Sequence, residues 1–394
     1  MYSFQEQAYK YFYQKDGKVY LAFDTGLGKT LTSLNIAKDF KKVLILCPAS
    51  VKFVWSKEME KFNLYPEYFE IHSYDFFREH YNEILQKNFF DLIIFDEAHK
   101  LKNIKARITK ICMKIFPKRE KIMLSATPFE KLDDFYSQLK ILTTAHYFHQ
   151  IDYTAYKRFF FNIDPWGKIL SFLNEDKEKF FYENLVYPYV WFLKKEDVID
   201  LPAIIEDALS IPTKSYFKSR FNKVVNQDNA LSFFITQYYK ESLSKDKIQF
   251  IGEFIQNNAN TIVFSFFREP LWLLREHFKI DHYYIDGSNK KDLAKACTEG
   301  GKPILTTYAL KEGVNLTHYS NIVFLSLPLA YRDYYQSVSR LHRIGQNKKV
   351  YVVKVLSSKI DRYVNKIIQQ KRNLLEELQR KTIEEIKEEI ELCQ

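Results

Sequence analysis

The sequence predicts an α/β protein with parallel sheets covered by helices, divided between two domains. Three observations point there. A strand, glycine turn and helix run in succession over residues 17–37. A second apolar run, LIIF at 92–95, ends in two adjacent carboxylates. The chain is also long, 394 residues, beyond what one hydrophobic core usually serves. Alternating short apolar runs and helical periodicities carrying nucleotide-loop chemistry are the pattern of parallel sheets wrapped by helices.

The first unit reads GKVYLAFDTGLGKTLTSLNIAK. Val19 to Phe23 suits a buried strand, Asp24 to Gly28 a turn, and Thr30 onward a helix through Leu31, Leu34 and Ile36/Ala37. Such a unit cradles phosphate. Gly26 and Gly28 let the backbone of Thr25, Leu27 and their neighbours wrap phosphate oxygens, with the helix amides pointing at them. Lys29 is placed to meet the outer phosphates and Thr30 to offer its hydroxyl to magnesium. The strict GxxxxGKT spacing is not met, because Phe23 stands at the first glycine.

The acids at 96–103, DEAHKLKN, fit the same chemistry. A carboxylate at a strand end holds magnesium, here Asp96, and its neighbour Glu97 orients or deprotonates the attacking water. A lone acidic pair would be only a charged strand cap; Lys29 and Thr30 upstream decide for the site.

Composition sets the boundaries. Hydrophobic residues at 46% and charged residues at 27% describe a folded, soluble chain. No stretch nears the roughly 18 apolar residues of a membrane span, and MYSFQEQAYKYF lacks a signal pattern, so the expected location is inside the cell. Cys47, Cys112, Cys297 and Cys393 lack zinc-ligand spacing and read as buried free thiols. A formal charge of +10 favours an anionic partner without naming one, and aromatics at 17% are more often core filling than base stacking.

The motifs, taken in order, resemble those of superfamily-two helicases of the Swi/Snf type, ATP-dependent translocases on double-stranded DNA. The series runs QEQAYKYF from Gln5, DTGLGKT, LILCPASVKFVWSKEMEKF at 44–62, DEAHKLKN and LSATP at 124–128. It continues with FLKKEDVIDLP at 192–202, IVFSFFRE at 262–269, YYIDGS at 283–288, ILTTYALKEGVNLT at 304–317 and QSVSRLHRIGQ at 336–346. The last string is the most specific. The chain departs from the family where Leu310 and Lys311 precede a single Gly313, and where Lys194 and Lys195 replace an arginine pair, keeping charge but losing the bidentate fork.

The resemblance implies two RecA-like lobes, with small helical insertions between LSATP (motif III) and IVFSFFRE (motif IV) and C-terminal helices. Lobe 1 is expected over 1–145, a helical insertion or interlobe bridge over 146–199, lobe 2 over 200–359 with a helical excursion near 213–246, and a helical tail over 360–394. In that tail Tyr363, Val364, Ile367, Ile368, Leu374 and Leu375 share one helical face, expected to pack on the chain itself, and TIEE at 382–385 reads as a capping box.

The resemblance also assigns roles. ATP and Mg2+ are the implied cofactors, with nucleotide contacts at Gln5, Thr25, Gly26, Leu27, Gly28, Lys29, Thr30, Gly313 and Asn315, and metal contacts at Thr30 and Asp96. Catalysis falls to Lys29, Asp96, Glu97, Gln336, Arg340 and Arg343. Spaced three apart, the two arginines share a side if their segment is helical. Contacts to double-stranded DNA, mostly with its backbone, fall at Ser50, Ser73, Lys102, Asn103, Ser265, Thr306 and Thr307. Each of these could equally be an ordinary cap or turn residue. A protein partner is compatible with this picture but unspecified. Two rival functions stand beside a duplex translocase that remodels what DNA carries: a helicase that separates or anneals strands at forks, and an ATP-switched DNA-binding module with little turnover.

Overall fold

The computed structural model describes every residue except 1, 65, 117–118, 130, 144–147, 149, 220–228, 288–290, 309–315, 380 and 394. The chain divides into two compact units, Met1–Asp200 and Leu201–Gln394.

The first unit is a six-stranded sheet. Its strands are β1 (Lys18–Phe23), β2 (Val43–Cys47), β3 (Phe69–Ser73), β4 (Leu92–Asp96), β5 (Glu120–Leu124) and, after a two-stranded hairpin of β6 (Phe161–Ile163) and β7 (Ile169–Phe172), β8 (Val190–Leu193). The order is β3-β2-β4-β5-β1-β8, and every pairing within it is parallel. Side chains alternate across the sheet, so each face has its own core. Val19, Leu21, Ile45, Ile94 and Ile122 pack on one side. Tyr20, Leu44, Leu46, Ile93, Phe95 and Met123 pack on the other. Burial on both faces explains why these strands read as continuous apolar runs. Helices α1 (Ser3–Gln14), α2 (Lys29–Ala37), α3 (Lys52–Lys61), α4 (Tyr74–Lys87), α5 (Arg107–Ile115) and α6 (Phe135–Leu142) supply the covering layers.

The stretch 146–199, read in sequence as helical, carries the β6–β7 hairpin as well as helices Tyr153–Phe160 and Glu175–Phe181. It ends in β8, which lies beside the nucleotide-loop strand β1 in register from Tyr20 against Val190 to Phe23 against Leu193. Phenylalanines fill its interior: Phe161 and Phe172 face each other across the hairpin with ring centroids 5.0 Å apart, and Phe181 lies 5.4 Å from Phe172.

The second unit repeats the plan with β9 (Ile204–Ser210), β10 (Thr261–Phe264), β11 (Tyr283–Ile285), β12 (Ile304–Thr306), β13 (Asn321–Phe324) and β14 (Val350–Leu356), ordered β11-β12-β10-β13-β14-β9 and again all parallel. Of the expected helical excursion, residues 213–219 are not helical; Tyr216 forms an antiparallel bridge with Ser244. Helix begins at Ala230, capped by Asn229, whose side chain accepts from Ser232 N.

The C-terminal segment packs on its own unit, with Tyr363, Val364, Ile367, Ile368 and Leu374 in one core with Phe234 and Tyr238. It is not one continuous helix over 360–378. Lys371 takes a left-handed conformation (φ 56°), separating Lys359–Gln369 from Leu374–Leu378, and Asn373 pairs with Ala330 instead. The capping box is present: Thr382 accepts from Glu385 N, and Glu385 accepts from Thr382 N at 2.7 Å. One buried ion pair pins the segment. Lys247 Nζ lies 2.9 Å from Asp361 and also donates to Leu325 O at 3.0 Å, while Ser357 N and Oγ donate to the same carboxylate. Among the described residues, no helix is long and apolar enough to cross a membrane.

Candidate functional site

β1 delivers the chain into the turn 24–28, where Gly26 (φ 88°) and Gly28 (φ 73°) adopt left-handed conformations open to glycine. At Gly28 the requirement is also spatial, since a Cβ there would sit 2.5 Å from Gln5 Nε2. Gln5 is buried; it donates to Leu27 O at 3.3 Å and accepts from Tyr2 N at 3.0 Å, so it clamps the turn to the start of α1. Lys29 opens α2 and turns its ammonium back onto Phe23 O (2.7 Å) and Asp24 O (3.2 Å). Thr30 beside it is half-buried. Asp24 is held from the far end of the unit, its N–H donating to Leu193 O and its carboxylate accepting from Lys195 N at 3.0 Å. The Thr25 hydroxyl is buried and finds no hydrogen-bond partner among the described residues.

Asp96 ends β4, one strand removed from β1 in the sheet. Its carboxylate accepts from Trp55 Nε1 (2.8 Å) and from Glu97 N (2.9 Å), and its carbonyl accepts from Tyr74 Oη (2.8 Å). Trp55 is the tryptophan of the 44–62 motif, and sequence reasoning gave it no role. An isolated indole among the charged residues of KFVWSKEMEK was the available signal. Burial and the neighbouring Glu97 push the Asp96 pKa up to about 7, against the pull of the Trp55 bond and the Lys29 charge. Glu97 itself has φ 50° and ψ 49°, a left-handed conformation rare for a residue with a side chain. His99 Nδ1 lies 3.2 Å from Glu97 Oε2 and 3.0 Å from Ser125 Oγ, and that hydroxyl accepts from Thr127 N. DEAHKLKN is thereby joined to LSATP through one histidine. A cationic lysine, two crowded carboxylates and a glycine turn on one sheet rim can bind a polyphosphate and take a proton from water.

The other lobe-1 candidates are engaged locally. The Ser73 hydroxyl caps α4, accepting from Phe76 N at 3.1 Å. Asn103 Oδ1 accepts from Lys105 N at 2.9 Å, and Lys102 lies 3.7 Å from Asp134. Ser50 is half-buried in the turn Ala49–Val51.

In the second unit, Ser265 and Thr306 are wholly buried. Ser265 Oγ lies 3.1 Å from Ser326 Oγ and accepts from Phe267 N, while Thr306 Oγ1 donates to Thr307 O at 2.8 Å. Their hydroxyls bond within the strand ends, and Thr307, half-buried, is the most exposed of the three. Gln336 is buried with Oε1 lacking a hydrogen-bond partner among the described residues. The helix Tyr331–Val338 stops short of Arg340 and Arg343, which lie in successive turns, so helical spacing does not relate them. Arg340 is buried and Arg343 half-buried. Gly313 and Asn315 lie outside the described residues. A residue missed in sequence is Gln346: its amide donates to Tyr319 O (2.9 Å) and Leu341 O (3.2 Å) and accepts from Lys348 N, fastening the RIGQ turn.

Two parallel-sheet units, the first with a nucleotide loop and a strand-terminal acidic pair, define a RecA-like, helicase-class architecture. Two families match the chain: the SNF2-related domain over residues 68–260 and the helicase conserved C-terminal domain over 246–345. The chain is a superfamily-two, helicase-like protein of the Swi/Snf family. It is 22% identical to an uncharacterized ATP-dependent helicase of Bacillus subtilis, over 95% of this chain and 78% of that protein. It is 24% identical to the SWI/SNF-related matrix-associated actin-dependent regulator of chromatin subfamily A-like protein 1 of Xenopus tropicalis, over 94% of this chain but only 44% of that longer protein. A Sulfolobus solfataricus SWI2/SNF2 ATPase core, solved in complex with dsDNA, aligns over 94% of this chain and 92% of its own, with 20% identity and a TM-score of 0.46.

Proposed function

We propose that this protein hydrolyses ATP to ADP and phosphate and uses the reaction to translocate along duplex DNA, remodelling DNA or protein–DNA structures. The supporting observation is the sheet rim of the first unit, where Lys29 acts electrostatically on an Asp96 already crowded by Glu97. Two anionic groups that oppose each other's ionisation fit a site completed by cationic charge. The Thr25 hydroxyl, without a partner among the described residues, and the two left-handed glycines fit a phosphate cradle.

In this reading Gln5 borders the base side of the nucleotide, and Thr25 through Lys29 wrap the phosphates. Thr30 and Asp96 hold Mg2+, which when bound offsets phosphate charge. Glu97 accepts the proton of the water attacking the terminal phosphorus, as the bond to the bridging oxygen breaks. Its backbone conformation and the His99 contact fix where that carboxylate points. Arg340 and Arg343 from the second unit stabilise charge on the transferred group, Gln336 orders the same site, and Gly313 and Asn315 complete it. Ser50, Ser73, Lys102, Asn103, Ser265, Thr306 and Thr307 mark the segments that meet the DNA backbone; contacts of this kind are sequence-independent and salt-sensitive.

Hydrolysis rates with duplex, single-stranded and forked DNA and with RNA test the reading, alongside displacement of a third strand from duplex as a readout of movement. Duplex-stimulated hydrolysis with displacement is expected. Stimulation by RNA alone overturns it.

A further inference from the structure

The β6–β7 hairpin carries a feature that the proposed ATP chemistry does not use. Its loop, Asp164-Pro165-Trp166-Gly167-Lys168, presents the Trp166 side chain 89% exposed, the most exposed of the large hydrophobic residues described. An indole normally buries much of its surface, so one held almost entirely in water needs a reason. Disorder of the loop is not that reason. The Asp164 carboxylate accepts from Trp166 N (3.0 Å) and Lys168 N (2.7 Å), and Gly167 N donates to Asp164 O (2.9 Å). Asp, Pro and Gly stand at the first, second and fourth positions of a β-turn that favours them, and Gly167 takes φ 84°. Lys157 Nζ donates to Gly167 O, bracing the loop from the neighbouring helix. Below it, Phe161 and Phe172 root the hairpin in the aromatic core.

We infer that this hairpin is a stacking post for an unpaired DNA base at the edge of a duplex, such as the first open nucleotide of a fork. The inference rests on the DNA reading above and names the substrate class within it. Charge selects the guest: Lys157 Nζ sits on the loop at Gly167 O, Lys168 closes the turn, and the one acid of the loop is spent on backbone amides. A π-face on a loop that carries two lysines suits a base attached to phosphate. Bases inside a duplex already stack on each other, so only an unpaired one offers its face. The rigid loop loses little freedom when it binds.

The test compares the full chain with Trp166→Ala and Trp166→Phe on a blunt duplex and on the same duplex ending in unpaired arms, with 2-aminopurine at the first open position. Trp166→Ala is expected to weaken fork binding by roughly fivefold to a hundredfold while blunt-duplex affinity stays within about twofold. Trp166→Phe retains most of the fork preference, and quenching of 2-aminopurine follows the ring. Equal loss on both substrates, no loss on the fork, or a phenylalanine variant as weak as the alanine one overturns the inference; unaltered fork binding would leave the indole to a protein partner. Fork preference without ATP-driven movement sinks the motor reading and leaves the post standing. Failure of the wild-type chain to bind any DNA overturns both.

Discussion

The two units share a plan and differ in how their motif side chains are engaged. In the first, the functional groups hold one another: Gln5 clamps Leu27, Trp55 and the Glu97 amide hold Asp96, and His99 lies between Glu97 and Ser125. In the second, Ser265 and Thr306 are absorbed into strand ends, while Gln336 Oε1 has no hydrogen-bond partner among the described residues. A buried acceptor left without a donor costs about 1–3 kcal/mol, so a donor brought to Gln336 Oε1 would be bound with that gain. The difference teaches that a shared plan of six parallel strands does not impose a shared chemistry. One unit gathers a lysine, two carboxylates and a glycine turn on one sheet rim, and the other presents a frame with Gln336 and two arginines set in turns.

The sharpest way to break this contrast is to remove those arginines. Arg343→Ala and Arg340→Ala should each lower the hydrolysis rate about a thousandfold or more while fluorescent-nucleotide binding persists. Turnover that survives both changes would exclude the second unit from the chemistry. Glu97→Gln should reduce single-turnover hydrolysis by roughly 10²–10⁴-fold, and a rate equal to wild type would remove Glu97 as the base.

Asp96 sharpens the comparison through pH. Its folded pKa is raised from 3.8 to about 7, so folding favours the protonated form. That contribution is present below the unfolded value and is lost as pH rises through about 7. Asp96→Asn should therefore be inactive yet raise the unfolding free energy at pH 8 by on the order of 1–3 kcal/mol relative to wild type, with the gain vanishing near pH 4. Denaturant titrations across that range check it; a variant destabilised at pH 8 would contradict the crowding of the acids. The smallest expected effect separates two glutamines of the second unit. Gln346→Ala should lose about 1–3 kcal/mol of stability, whereas Gln336→Leu should be neutral or stabilising but slower in hydrolysis.

Sequence made the sheets and the nucleotide loop legible because both depend on local chemistry. Doubly buried strands must be apolar throughout, and a tight turn at Gly26 and Gly28 admits few residues. What escaped it depends on distant partners. Nothing near Ser265 announces Ser326, sixty-one residues away, nor does the tail's periodicity reveal that Lys371 turns left-handed. Whether the two arginines share a helical side depends on the segment's conformation, which their spacing does not set; the helix ends at Val338, just before them. Trp55 was visible as an oddity, but its bond to Asp96 joins residues 41 apart.

The Lys247–Asp361 pair carries a practical corollary. Both side chains are shut away from water, and the carboxylate arrives only with the helix Lys359–Gln369. Trimming the polypeptide ahead of that helix would strand an ammonium inside the protein, a defect on the order of 3–5 kcal/mol. Fragments designed to isolate the later unit should thus extend past Asp361, and an insoluble shorter piece would report a broken interior rather than a dispensable appendage.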